Sequence, residues 1–157
     1  MEIVRIGARG REEIDAFLTE RWYTLQMVVH GEVVDLGAAE GCYAREGGEL
    51  SGAITWRIGQ GEMEILSLDS VRENRGVGTA LLDRAVEEAR RAGCSRIVLT
   101  TTNDALNALR FYQKRGFDIA GIRRNALDRS RQLKPEIPLT GIDGIPLRHE
   151  IELERLV

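Results

Sequence analysis

The chain has 157 residues, the size of one ordinary domain, and we predict a single domain over residues 1–157. Its formal net charge of −3 provides no overall basic field, so we expect neither nucleic acid nor a membrane as a partner. No run approaches the roughly 20 apolar residues that span a bilayer, which favours the cytoplasm. Two cysteines, Cys42 and Cys94, suggest neither a disulfide scaffold nor a metal site.

The first half of the chain combines one helical pattern with several extended runs. Ile14, Phe17 and Leu18 recur at helical spacing and predict an amphipathic helix within residues 11–25. Between residues 41 and 71, Gly-Gly and Gly-Gln-Gly turn signals separate strand-like runs. We predict an antiparallel meander of three strands over residues 42–46, 50–58 and 62–68.

The second half predicts two further helices and three strands. An apolar stripe that ends at Gly93 predicts a helix over residues 79–92. The β-branched run 96–102 predicts a buried strand, and the helix after it has Asn103 or Asp104 as its cap. Two more strands are predicted over residues 117–123 and 150–154.

The connection 125–149 does not fit this compact pattern. It spans roughly 25 residues between two predicted strands, whereas connections of more than about 15 residues without structure are uncommon. It contains all three prolines of the chain, Pro135, Pro138 and Pro146. We predict a long loop that is either functional or an interface arm.

Two glycines, Gly76 and Gly78, precede the helix predicted over residues 79–92. Without Cβ atoms, they let successive backbone N–H groups converge into a nest whose positive end suits a phosphate. The stretch lacks the Gly-Lys-Ser/Thr ending of a Walker loop and the third glycine of the dinucleotide fingerprint. A Gly-x-Gly before a helix is also common in plain tight turns, so this pattern alone leaves both interpretations open.

A second block lies one strand later: Ala108 to Phe117 reads Ala-Leu-Arg-Phe-Tyr-Gln-Lys-Arg-Gly-Phe. Together the two blocks resemble the GCN5-related N-acetyltransferase (GNAT) family. In that family a loop of form Gln/Arg-x-x-Gly-x-Gly/Ala follows the fourth strand, and a helix ending Ala-x-x-x-Tyr-x-x-x-Gly-Phe follows the fifth. The resemblance covers nearly the whole chain.

The resemblance implies an α/β (α+β) fold. Its centre is a mixed, mostly antiparallel twisted sheet of six to seven strands, flanked by helices and splayed between the family's fourth and fifth strands. The implied function is an N-acetyltransferase that moves an acetyl group from acetyl-CoA to a primary amine of a small molecule or a protein N-terminus, by direct attack in a ternary complex. The identity of the amine is not readable from the sequence, and a homodimer is left open.

The resemblance also implies which residues bind acetyl-CoA. These positions are Leu68, Glu73, Asn74, Arg75, Gly76, Val77, Gly78, Thr79, Asn103 and Asn107. Two departures from the family pattern are Glu73 in place of Gln or Arg, and Ala105 in place of a frequent Asn. They keep a second hypothesis open, a catalytically weak acetyl-CoA-binding sensor or structural module with the same fold.

Three catalytic roles follow from the resemblance. The Leu68 amide polarises the thioester carbonyl, Tyr112 donates a proton to the leaving thiolate, and Glu64 or Glu62 acts as a base through water. Counting by twos along the strand places both glutamates on the same face as Leu68. The competing interpretations are solvated strand glutamates and a Tyr112 that only fills the core.

Overall fold

The computed structural model describes residues 1–157. It contains nine strands: β1 (Glu2–Arg5), β2 (Gln26–Val29), β3 (Glu32–Asp35), β4 (Glu40–Glu46), β5 (Glu49–Gly59), β6 (Glu62–Ser70), β7 (Arg96–Thr102), β8 (Asp118–Arg123) and β9 (Glu150–Leu156). The four α-helices are α1 (Arg11–Trp22), α2 (Val77–Arg91), α3 (Leu106–Lys114) and α4 (Ala126–Leu133). Two short 3₁₀ turns are formed by Leu36–Ala38 and Ile142–Gly144.

Seven strands form one sheet in the order β1-β4-β5-β6-β7-β9-β8, and β2 pairs with β3. The pairs β1–β4, β4–β5, β5–β6 and β8–β9 are antiparallel. The predicted mixed sheet of six to seven strands with flanking helices is therefore confirmed. The splay between two of its strands stays a prediction.

A first compact unit comprises residues 1–26, 35–97 and 157. The predicted meander is confirmed as β4, β5 and β6, each longer than expected by a few residues at its ends. Helix α2 packs on these three strands through one buried stripe, formed by Val77, Leu81, Leu82, Ala85, Val86 and Ala89. A Cβ on Gly52 would lie 2.8 Å from the Val77 side chain, so this glycine lets the start of α2 approach β5 closely.

A second compact unit comprises residues 27–34 and 98–156. It contains most of the β2–β3 hairpin, which the sequence analysis did not predict because two four-residue strands carry little periodicity. The predicted long loop 125–149 is corrected in part, since α4 makes its first third helical. Its role as a functional or interface segment stays a prediction.

No helix of the structure combines the length and the apolar character needed to cross a membrane. The helix predicted within residues 11–25 is confirmed as α1, which ends at Trp22 because Tyr23 adopts a left-handed conformation with φ 66°. That ending places the Trp22 indole beside β6, where it contacts Asp69.

Candidate functional site

The loop between β6 and α2, residues 71–76, is held open by two left-handed residues. Asn74 has φ 61° and Gly76 has φ 78°. Asparagine and glycine are the residues that accept this conformation at least cost. The backbone can therefore turn sharply into α2 without a bulky side chain at its first N–H groups.

The first turn of α2 presents backbone donors without acceptors inside the helix. The helix begins at Val77, so Gly78 lies within the first turn, and the prediction that it precedes the helix is corrected. The first intrahelical bond runs from Ala80 N to Gly76 O at 3.0 Å. No side chain caps this terminus and no acidic residue lies in the first turn. These amides and the positive end of the helix dipole fit a pyrophosphate.

The side chains of this loop are not used to hold the loop in place. Four consecutive residues are exposed and make no side-chain hydrogen bond or ion pair: Arg72, Glu73, Asn74 and Arg75. Beside the loop lies a half-open cavity of about 220 Å³, which Arg72 and Arg75 help to line. The buried hydroxyl of Ser51 in its wall has no hydrogen-bond partner. The lining combines these two arginines with two glutamates, Glu46 and Glu49.

A β-bulge in β6 changes which residues share a face. Thr55 of β5 pairs with Ser67, whereas its neighbour Trp56 pairs with Ile65, so Leu66 is an extra residue on β6. The hydrogen bond of 2.5 Å between the Thr55 and Ser67 hydroxyls fixes this register.

The predicted common face of Glu62, Glu64 and Leu68 is therefore wrong. Cross-strand partners share a face, and one extra residue inverts the alternation beyond it. Glu62 and Glu64 lie on the face of Ser67 and Asp69, while Leu68 lies on the opposite face. Counting by twos failed because the bulge depends on pairing with β5, which the sequence of β6 alone does not reveal.

Both predicted bases are held in ion pairs. Glu64 Oε1 accepts from Arg57 Nε at 2.6 Å, and Glu62 Oε1 accepts from Arg96 Nε at 2.7 Å. The Glu64 side chain is 12% exposed. A proton transferred to either carboxylate would weaken a charge-assisted hydrogen bond.

Asp69 is a third carboxylate on this face, and it was not among the site residues predicted from the sequence. Its Oδ2 accepts from the Trp22 indole Nε1 at 2.8 Å. Burial raises the pKa of the Asp69 carboxyl above its usual range, while the indole hydrogen bond and the charge of Arg21 act in the opposite direction. Its place directly after Leu68 was the one signal in the sequence that could have marked it.

Both cysteines are buried free thiols. Burial raises the pKa of Cys42 to about 11, against the nearby charges of Arg84 and Arg5. Burial also raises the pKa of Cys94. Since only the thiolate is a strong nucleophile, neither residue is suited to take up an acyl group at neutral pH.

In the second unit, Tyr112 is the buried residue of α3, with 8% of its surface exposed. Its ring meets those of Phe111 and Phe117 edge-on, with centroids 5.1 and 5.4 Å away. The Phe117 N–H donates to Tyr112 O at 3.1 Å, across the turn at Gly116 with φ 89°. The tyrosine, glycine and phenylalanine of the second motif therefore form one local structure at the end of α3.

The two asparagines that were predicted to contact the cofactor differ in their environment. Asn103 Nδ2 donates to Pro146 O at 2.8 Å, and its Oδ1 accepts from the backbone N–H groups of Arg148 and His149 at 3.0 and 2.9 Å. Asn107 is exposed and makes no side-chain hydrogen bond. Asn103 is thus committed to the chain around Pro146, whereas Asn107 has its amide available.

Asp104 also forms a hydrogen bond with the segment 125–149. Neither Asp104 nor Asn103 caps α3. The N-cap is Ala105, without a side-chain hydrogen bond, so the predicted cap is wrong. Asp104 is 5% exposed and accepts from the Thr102 hydroxyl and, at 2.9 Å, from Ile142 N. A Cβ on Gly141 would lie only 2.1 Å from Asp104 Oδ2, so the backbone approaches this carboxylate at a glycine.

Arg131 of α4 is a third anchor of the segment. Its guanidinium donates to three backbone carbonyl oxygens, those of Ile137, Pro138 and Leu147. The guanidinium has five N–H donors, so one side chain can hold these separate points of the backbone beside α4. The side chains of Asn103, Asp104 and Arg131 are thus occupied by structural hydrogen bonds.

The predicted site residues fall into two groups. In the first unit, the continuous stretch from β6 to α2 carries Glu62, Glu64, Leu68, Glu73, Asn74, Arg75, Gly76, Val77, Gly78 and Thr79. In the second unit, α3 and the turn before it carry Asn103, Asn107 and Tyr112.

Comparison with known proteins matches residues 9–117 to the model of the Acetyltransferase (GNAT) family. The uncharacterized protein YdhI of Bacillus subtilis (strain 168) is 43% identical over 158 residues, which covers 100% of this chain and 99% of YdhI. Among solved structures, the IAA acetyltransferase from Bacillus cereus ATCC 14579 aligns with a TM-score of 0.76 and 24% identity, over 99% of each chain. A GNAT family acetyltransferase from Elizabethkingia anophelis, with acetyl-CoA bound, aligns with a TM-score of 0.73 and 21% identity, over 99% of this chain and 97% of that one. At these identities the two structures show the shared fold.

Proposed function

The chain belongs to the GNAT family of acetyltransferases, and on that premise we propose that it is an N-acetyltransferase that uses acetyl-CoA to acetylate a primary amine. The acceptor is a small molecule or a protein N-terminus, and the cytoplasm is its proposed location. The observation that carries the proposal is the first turn of α2, where backbone donors lack acceptors and no acidic side chain competes. That donor set suits the pyrophosphate of coenzyme A.

The residues proposed to bind the cofactor lie around this turn. The backbone from Glu73 to Thr79 would surround the pyrophosphate, and Arg75 would add positive charge. In the second unit, Asn107 is the better of the two asparagine candidates, because the hydrogen bonds of Asn103 are already made within the chain. Glu73 is exposed, so its carboxylate can stay in solvent instead of facing the phosphates.

Bound acetyl-CoA supplies the acetyl thioester, and the residues of this chain supply polarisation and proton transfer. The Leu68 amide is proposed to donate to the thioester carbonyl. Tyr112 is proposed to protonate the leaving thiolate, a transfer from a phenol of pKa about 10 to a thiol of about 8.5 that is uphill by only about 2 kcal/mol. A carboxylate of β6, with Glu64 and Glu62 as the family positions, is proposed to deprotonate the amine through water.

Direct attack by the amine is favoured over an acetyl-cysteine route. Both cysteines are buried, and burial raises the pKa of each thiol, so neither provides a thiolate at neutral pH. We therefore propose that amine and acetyl-CoA are bound together when the acetyl group moves.

The test is release of free coenzyme A thiol from acetyl-CoA in the presence of a panel of primary amines, together with melting curves with acetyl-CoA. A ligand that binds only the native state adds about 2.7 kcal/mol at one hundred times its Kd. Stabilisation with amine-dependent thiol release supports the transferase. Stabilisation without turnover by any amine supports the sensor hypothesis, and the absence of both would contradict acetyl-CoA binding.

A further inference from the structure

We propose that Asp69 is the group on β6 that accepts the proton of the acceptor ammonium, through one water molecule, and that Trp22 positions and tunes it. This inference rests on the proposed function and names a residue that the family motif does not. It deepens the assignment of the base, which the motif places at Glu64 or Glu62.

The geometry of β6 places Asp69 on the face that carries the two candidate glutamates. The bulge at Leu66 inverts the alternation, so Asp69 shares its face with Glu64 and Ser67. Asp69 is also the next residue after Leu68, whose amide is the proposed contact for the thioester carbonyl. A carboxylate one residue beyond that amide lies close enough along the strand to act through a single water.

The three carboxylates on this face differ in what holds them. Glu64 and Glu62 each accept from an arginine guanidinium at 2.6 and 2.7 Å. Asp69 accepts from a neutral indole, and it forms no ion pair. A proton arriving at Asp69 therefore breaks no salt bridge, whereas a proton arriving at either glutamate weakens one.

The charges around Asp69 support the same choice. Burial raises its pKa, the largest effect, and the Trp22 hydrogen bond and Arg21 on α1 lower it. Its cross-strand neighbour on β5 is Ala53, which has no charge. Along β6, Glu64 is paired with Arg57. A carboxylate with a raised pKa is a better proton acceptor near neutral pH than an ordinary aspartate.

One proton of the ammonium passes through water to the Asp69 carboxylate, and the neutral nitrogen forms a bond to the acetyl carbon while the carbon–sulfur bond breaks. The sulfur takes a proton from Tyr112 and leaves as a thiol, and the second proton of the nitrogen passes to water, which restores the Tyr112 hydroxyl. Asp69 then returns its proton to solvent, so one amide, one thiol and one proton are formed.

The key variant is Asp69→Asn, which keeps an oxygen to accept from Trp22 but cannot take a proton. We expect kcat at saturating substrates to fall by about 10²- to 10³-fold, and the ionisation of Asp69 to disappear from the acidic limb of the pH profile. Asp83→Asn, a matched change at an exposed carboxylate of α2, should leave both unchanged. The folded state should not be weakened at pH 7, since burial penalises the ionised form that this variant removes.

The second variant, Trp22→Phe, removes the indole donor and separates tuning from packing. The indole bond lowers the pKa of Asp69, so its loss should move the acidic limb to higher pH. A Trp22 that only packs would change stability without moving the limb.

A third measurement does not depend on activity. The chain has two tryptophans, so the indole N–H resonance that is lost in Trp22→Phe reports on Asp69 directly. We expect this resonance to titrate with a midpoint above the ordinary aspartate value, and not to titrate in Asp69→Asn.

Three results would overturn the inference. They are wild-type kcat and pH profile in Asp69→Asn, an indole resonance that does not titrate, or loss of the acidic limb in Glu64→Gln with the limb retained in Asp69→Asn. In each case the wild-type protein still releases coenzyme A with an amine, so the proposed function stands. If no amine gives turnover with the wild type, the proposed function fails and this inference fails with it.

Discussion

The protein contains two irregular connections that are built in opposite ways. In the loop 71–76, the side chains of Arg72 and Arg75 make no hydrogen bond or ion pair. In the segment 125–149, side chains hold the backbone at several points, with Asn103, Asp104 and Arg131 as the anchors. Both connections contain glycine, but only the second uses polar side chains to satisfy its own backbone.

This difference indicates which backbone groups are available to form hydrogen bonds with a ligand. A backbone group that already has a side-chain partner must lose that bond before it can bind a ligand, and an unmade buried hydrogen bond costs about 1–3 kcal/mol. The first turn of α2 bears no such cost, because its amides precede the first intrahelical bond and no side chain caps them. We therefore expect substitutions in the loop to change binding, and substitutions of the anchors to change stability.

The largest effect is expected at Tyr112. Its substitution tests whether all polar side chains of the second unit have only structural roles. Tyr112→Phe keeps the ring and its edge contacts with Phe111 and Phe117. We expect turnover to fall by about 10²- to 10⁴-fold, as for loss of a general acid. The measurement is kcat under conditions where the chemical step limits the rate.

The affinity of Tyr112→Phe for acetyl-CoA should match that of the wild type, and its stability should change by no more than about 1 kcal/mol. Tyr23→Phe is the control, because the Tyr23 side chain is 92% exposed. Solvent can also protonate a thiolate, so the decisive range lies beyond about tenfold, or 1.4 kcal/mol of barrier. Wild-type turnover in the folded variant would remove Tyr112 from the catalytic residues.

The next largest effect is expected at Gly78, in the first turn of α2. Gly78→Val places a branched side chain among the backbone donors, and it should abolish the stabilisation by acetyl-CoA, about 2.7 kcal/mol at one hundred times Kd. For a chain of this length that corresponds to a lost rise in melting temperature of about 5–10 °C. Melting curves with and without acetyl-CoA measure it.

The control for this change is Gly59→Val. Gly59 ends β5 in open space and without a positive φ, so valine fits there. It should retain the full rise in melting temperature with acetyl-CoA. If a folded Gly78→Val variant shows the same rise, the pyrophosphate does not bind at this turn.

A structural feature could be predicted from the sequence when residues close together in the chain determine it. The strand β7 matches its predicted bounds, because a run of apolar and β-branched residues identifies a buried strand by itself. The left-handed conformation of Asn74 likewise suits its own residue type, since asparagine tolerates a positive φ. Both features are set within a few residues.

The features that were missed depend on distant partners. The bulge at Leu66 exists only against β5, and it decided which carboxylates share a face. The role of Asn103 depends on Pro146, 43 residues away, and the polar sequence of α4 gave no clear apolar stripe. Periodicity along one element cannot reveal these contacts. The site was therefore predictable at its motifs and not at its hydrogen-bond network.

A smaller effect is expected from Asn103→Ala, which tests the anchors. The change leaves Pro146 O and two backbone N–H groups without their partners, at a cost of about 1–3 kcal/mol of unfolding free energy. Chemical denaturation measures that cost, and hydrogen exchange should rise at the amides of Arg148 and His149. The Kd for acetyl-CoA should stay within about twofold of the wild type.

Asn107→Ala is the matched variant. Its exposed side chain makes no hydrogen bond, so stability should change by less than about 0.5 kcal/mol. If Asn107 contacts the cofactor, the Kd for acetyl-CoA should rise by about five- to tenfold, as for loss of one hydrogen bond. The opposite pattern, with affinity lost in Asn103→Ala and stability lost in Asn107→Ala, would reverse the comparison between anchors and ligand contacts.

The smallest effect is expected at Glu73, the acidic residue of the loop 71–76. Its carboxylate is exposed and unpaired, so water and salt screen its repulsion of the phosphates. Glu73→Gln should tighten acetyl-CoA binding by about two- to fivefold at low ionic strength, and the gain should shrink as salt is added. Titration calorimetry at two salt concentrations measures both, with Glu12→Gln on α1 as the control. Weaker acetyl-CoA binding in Glu73→Gln would mean that the Glu73 carboxylate stabilises the complex with acetyl-CoA. The loop 71–76 would then resemble the segment 125–149, where polar side chains hold the backbone.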